Sequence, residues 1–121
     1  MLRKLVFIIG LLLIPLTDVG ETRDVFHGDL RQYQNGAVVD IHAAFAAITE
    51  YQEIENRGLT PEDADYYVLL ARANERFYAA IRVVARQGNY DMIARKNSVG
   101  VQNLDLPDIT EAVVSELTAD K

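Results

Sequence analysis

Hydrophobic and polar positions divide the chain into an apolar start, a stretch without period, and a body in which strand and helix periods follow one another. Behind Met1-Leu2-Arg3-Lys4, Leu5 to Leu16 is an uncharged, apolar run. As a helix it would span ~18 Å, short of the ~30 Å hydrocarbon core of a bilayer. Glu21 to Gly36 has no sustained period and reads as a tether ending in an Asn35-Gly36 turn. Ala37 to His42 reads as a strand with Val39 and Ile41 on one face. It runs into a helix carrying Ala44, Phe45 and Ile48 that ends near Arg57-Gly58. Thr60-Pro61-Glu62-Asp63 then reads as a helix start, with Thr60 capping and Pro61 in the first helical position. The spacing predicts a helix from Pro61 to Gln87 with Tyr66, Leu70, Ala73, Phe77, Ile81 and Val84 as its apolar stripe. Two helices joined so closely form an antiparallel hairpin.

The last third changes period again. Gly88 is expected to stop the helix in the left-handed conformation. Tyr90, Met92 and Ala94 then alternate with Asp91, Ile93 and Arg95, the pattern of a half-buried strand. Lys96-Asn97 reads as a turn and Ser98 to Val101 as a second strand, making a small hairpin. At Pro107-Asp108-Ile109-Thr110-Glu111 a helix restarts, with Asp108 as cap and Glu111 where a capping box places its acid. Ile109, Val113 and Leu117, with Ala112, give that helix its apolar side. The expected architecture is α+β: an N-terminal apolar helix, a sheet of two or three strands, a projecting antiparallel helical hairpin and a C-terminal helix. Its strands are Ala37–His42, Tyr90–Arg95 and Ser98–Val101. Such a sheet has exposed edges and a domain of this size buries little core, so a homo-oligomer or a docked partner is expected, with Val99 and Val101 at the sheet edge.

Charge and composition narrow the function. The chain has 121 residues and a formal net charge of −6. The first twenty residues hold Arg3 and Lys4 against Asp18, and the remainder is acidic. An acidic body is a poor match for nucleic acid, where affinity rests on neutralising phosphates. With no cysteine, disulfides, thiol nucleophiles and thiolate metal sites are excluded. Residues 1–20 read as a signal peptide or a single-pass membrane anchor. The short apolar run favours the first, and Thr17-Asp18-Val19-Gly20, a poor cleavage site, favours the second. Either way Arg3 and Lys4 stay cytoplasmic and the acidic body is exported. If uncleaved, residues 2–19 contact the membrane.

No reaction chemistry emerges from the motifs. His27 and His42 fall in different elements, and no phosphate-cradling loop, dinucleotide fingerprint or nucleophile elbow occurs. Asp105 and Asp108 flank Leu106-Pro107 and read as a loop residue and a cap. Tyr66-Tyr67 and Phe77-Tyr78 read as core or partner contacts. Catalytic, cofactor-binding and metal-binding residues are therefore expected to be none, and no cofactor is implied. One pattern remains. At 100° per residue Arg72, Arg76, Arg82 and Arg86 lie within about 120°, opposite Phe77 and Ile81. Two readings stand: a partner-binding strip for acidic protein or lipid headgroups, or solvated arginines paired to Glu75 and to acids of a neighbouring helix.

The order of these stretches carries a resemblance. Leu59-Thr-Pro-Glu62, Arg76-Phe77 and Pro107-Asp-Ile-Thr110 occur in the order and near the spacing of the F-type TrbI family of conjugative transfer proteins, which this chain resembles over about Val38 to Leu117. Val39-Asp-Ile-His-Ala-Ala-Phe45 and the last thirty residues are more distantly similar to the Skp/OmpH periplasmic chaperones. Resemblance to TrbI implies a periplasmic domain over residues 37–121, associated with the inner membrane. It implies a part in pilus assembly, extension or retraction within an F-type type IV secretion system, through contacts with other transfer proteins and without catalysis. Resemblance to Skp implies a miniature holdase for outer-membrane or secreted proteins. The helices here cover only about Ala43 to Gln87, which leaves little to enclose a client.

Overall fold

The computed structural model describes residues 24–119; the N-terminal segment expected as signal peptide or anchor lies outside the described residues. The domain is α+β. Its elements in order are β1 (Val25–Gly28), β2 (Gly36–Val39), α1 (Ile41–Ala46), α2 (Thr49–Asn56), α3 (Ala64–Gly88), β3 (Met92–Arg95) and α4 (Thr110–Ala119). The strands form one sheet in the order β1-β3-β2. β3 runs antiparallel to β1 and parallel to β2. The parallel pair requires a long crossover, and the helical hairpin lies within it.

Strand alternation gives the sheet two different faces. Phe26, Ala37, Val39 and Ile93 join the main core with residues of α1, α3 and α4. Val38, Met92 and Ala94 join a second, smaller cluster with Val101, and Val25, Leu30, Tyr33 and Leu106 pack against it. Helices thus cover one face and loops the other. Phe77, fully buried, is the hub of the main core, with ring centroids 5.0 Å from Phe26 and 5.2 Å from Phe45.

Several elements depart from their expected bounds, each for a local reason. The strand at Ala37 stops at Val39, because the Asp40 carboxylate accepts from the backbone of His42 (3.0 Å) and Ala43 (3.3 Å) and starts α1 there. The first helix is two helices. Ile48 is extended and 1% exposed, so its burial interrupts the helix. The Gln52 side chain satisfies the Ala46 carbonyl at the break (2.9 Å). α2 ends as expected at Arg57-Gly58. There Leu59 N–H donates to Ile54 (3.0 Å) and Gly58 N–H to Glu55 (3.2 Å), with Gly58 at φ 62. Thr60–Asp63 is a turn, not the first turn of α3, since the Asp63 carboxylate reaches back to the Thr60 N–H (2.9 Å).

At the far end of α3 the left-handed residue is Asn89 (φ 57), not Gly88. A Cβ on Gly88 would lie 2.3 Å from the Tyr90 ring, so its glycine serves close approach. The Lys96-Asn97 turn forms, with Asn97 at φ 68. The strand expected at Ser98–Val101 is absent. Both edges of β3 are already occupied, by β1 and β2, leaving none for a hairpin partner. Ser98 to Leu104 instead turns back on itself, Val101 N–H and Gln102 N–H both donating to the Ser98 carbonyl (3.1 and 2.9 Å). The third strand is β1, inside the stretch expected as a tether.

Candidate docking surfaces

The outer edge of β2 is closed by the chain that enters α4. Val38 N–H donates to the Pro107 carbonyl and Ile109 N–H to the Val38 carbonyl, both at 2.9 Å. Asp108, between them, accepts from the Thr110 N–H (2.9 Å) and hydroxyl, and from Lys96 Nζ (2.8 Å). The Thr110 hydroxyl oxygen also accepts from the Asp40 N–H (2.9 Å). Lys96 and Thr110 together hold the Asp108 carboxyl down at about 2, and Asp108 raises the Lys96 ammonium. The expected cap therefore forms, completed by Thr110, and it joins α1, β2, the 96–97 turn and α4. With Ile109, Val113 and Leu117 buried, α4 packs along α3 and α1. Ala112, expected on the apolar side, is exposed.

A second clamp fastens the other end of the sheet. The Asp91 carboxylate accepts from the N–H groups of Gln34 (2.9 Å) and Asn35 (2.8 Å), which lower its pKa. Asn35 Nδ2 donates to the Asn89 carbonyl (2.8 Å). The Asn35-Gly36 pair thus ties the start of β2 to the end of α3.

Of the four arginines, the structure separates one from the rest. Arg76 Nε lies 2.8 Å from Oε1 and 2.9 Å from Oε2 of Glu50, a side chain only 16% exposed at the start of α2. Burial pushes the Glu50 carboxyl up, and the bond from Arg76 with the nearby charge of Arg72 outweighs it, so the net shift is downward. Arg76 is a joint between α2 and α3. Arg72, Arg82 and Arg86 are exposed along the outer side of α3. Beside them a groove of about 230 Å³ runs between α3 and α4, lined by Ala79, Ala80, Val83 and Leu117 with Arg76 and Glu116 at its charged rim.

Val99 and Val101 part company. Val99 is 80% exposed at the tip of a loop, whereas Val101 is 3% exposed and fills the second cluster beneath the sheet. Neither is on a strand, so the expected sheet edge is not theirs. His27 is half-buried in β1 and His42 exposed in α1. Among the described residues no three acids or histidines gather as a metal site, and no helix is long and apolar enough to cross a membrane. Sequence reasoning missed Glu50, whose acid stands 26 residues before Arg76 with no motif to link them. It also missed Val68, half exposed near the start of α3 beside Tyr67, which is expected as a core or partner contact. Its signal was present, at helical spacing, but the stronger buried stripe obscured it. No family model, curated protein or solved structure matches the chain.

Proposed function

We propose that this chain is a periplasmic, inner-membrane-associated component of an F-type conjugative secretion system, acting in pilus assembly or in extension and retraction. It works by docking to other transfer proteins and carries out no catalysis. The observation that carries the reading is the fate of the apolar stripe on α3. Leu69, Leu70, Ala73, Phe77, Ala80, Ile81, Val84 and Ala85 are all buried within the domain. A holdase needs a large exposed apolar surface or cavity for its client. Beyond a short exposed strip at Tyr67 and Val68, the outer side of the hairpin presents Arg72, Arg82 and Arg86, a pattern suited to an acidic partner. The stretches that carry the TrbI resemblance also lie at joints of the fold: Thr60 in the hairpin turn, Phe77 at the hub of the core, and Pro107–Thr110 along β2.

Deleting the gene from a donor that carries the transfer genes tests the assignment, with pilus number and length as readout. An altered count is the expected result. The purified chain should fail to suppress aggregation of an unfolded outer-membrane protein at stoichiometric ratio. Efficient suppression together with normal pili would move the chain to the Skp/OmpH class.

A further inference from the structure

α3 carries a second apolar stripe, on its outward side. Ala64, Tyr67, Val68 and Ala71 recur at i, i+3, i+4 and i+7, and all four are exposed, Tyr67 by 51% and Val68 by 49%. Single exposed apolar residues are ordinary on a protein surface. Four on two adjoining turns, at the spacing of an amphipathic face, make a strip that another helix can cover. Alanine at both ends permits a close approach of that helix.

The charges around the stripe identify what covers it. From Leu59 to Ala71 the chain holds Glu62, Asp63 and Asp65 and no basic residue. Glu62 and Asp63 accept from Thr60 and form no ion pair among the described residues, and Asp65 accepts from Arg57 (3.0 Å). Just past the other end of the stripe stands Arg72, exposed. Asp65 and Arg72 are seven residues apart and fall on the same flank of the helix, about 20° from each other. When two identical helices pack antiparallel about a twofold axis, the same flank of each faces the other. Acid at one end of the stripe and base at the other then make it its own complement.

We propose that this stripe docks on the same stripe of a second copy of the chain, antiparallel, about a twofold axis between Tyr67 and Val68. Ala64 then lies opposite Ala71 of the second copy, and Asp65 approaches its Arg72 at both ends. The interface is isologous. It is also short, below the ~1,200 Å² typical of stable complexes, so the pair exchanges and crosslinking is the fitting readout. The contact does not rest on the conjugation reading.

The absence of cysteine lets single cysteines report the geometry in the full-length chain. Chains bearing Ala64→Cys and Ala71→Cys, with different tags, are coexpressed and oxidised in intact cells. A mixed 64–71 disulfide is expected in several-fold excess over 64–64 and 71–71. In the proposed packing the like residues are offset by seven positions, ~10 Å along the helix and beyond disulfide reach. Asp65→Arg or Arg72→Asp alone should cut the mixed product several-fold, and the two together should restore it. Equal yields of the three disulfides, no disulfide at all, or a double reversal no better than the singles would overturn the proposal. Should a charge variant lose its fold, seen as a lowered urea midpoint, the cysteine pattern decides alone.

Discussion

Asp108 is the residue on which the packing of α4 against β2 can be measured. Its carboxylate takes Lys96 Nζ at 2.8 Å and the Thr110 N–H at 2.9 Å, and it ionises at about 2. An unfolded aspartate ionises near ~3.9, so the unscreened difference corresponds to roughly 2.6 kcal/mol of stability at neutral pH. Because the Asp108 side chain is 40% exposed, solvent screens much of this. The contribution remaining is about 1 kcal/mol. Its sign follows from the lowered pKa: the stabilisation is complete above the unfolded value and is lost as pH falls from about 4 to about 2. Urea unfolding followed by far-UV circular dichroism between pH 2 and pH 7 should show this loss in the native chain. Asp108→Asn should be about 1 kcal/mol less stable at neutral pH and lose less stability over that acid window. Lys96→Met should reproduce most of the effect, and the double variant should cost less than the two singles summed. Parallel pH profiles for wild type and Asp108→Asn would refute the reasoning.

Two further predictions test the reassigned site residues. Arg76→Gln strips a largely buried carboxylate of its partner and should cost about 1–3 kcal/mol, whereas Arg82→Gln and Arg86→Gln should stay within about 0.5 kcal/mol, all by urea midpoint. Val101→Asp should destabilise by more than about 2 kcal/mol, since it buries a charge beneath the sheet, while Val99→Asp should leave the same midpoint nearly unchanged.

Elements marked by local chemistry were legible in the sequence, and those fixed by distant partners were not. The stop at Arg57-Gly58, the body of the Pro61–Gln87 helix, the strand around Met92–Arg95 and the Ile109, Val113, Leu117 stripe each have a short-range signal, and each is present. β1 has almost none. Val25-Phe26-His27-Gly28 is too short to show a period, and its register shifts between Val25 and His27. It becomes a strand because β3 offers an edge. That same pairing removed the edge on which a Ser98–Val101 strand would have depended, so one error produced the other. Ile48 gave a similar conflict: it fits the helical period, yet its burial breaks the helix. For the arginines, the period put Arg72, Arg82 and Arg86 on an exposed side of α3, but only the fold brings Glu50 to Arg76.

The most direct test of the docking account is complementation of a donor deletion, counting pili per cell. Wild-type chain should restore the count. A chain with Arg82→Gln and Arg86→Gln, equal to wild type in urea midpoint and in abundance, should not restore it. Full restoration by that variant would contradict the proposed arginine surface, and an unchanged count in the deletion itself would contradict the proposed role in pilus assembly.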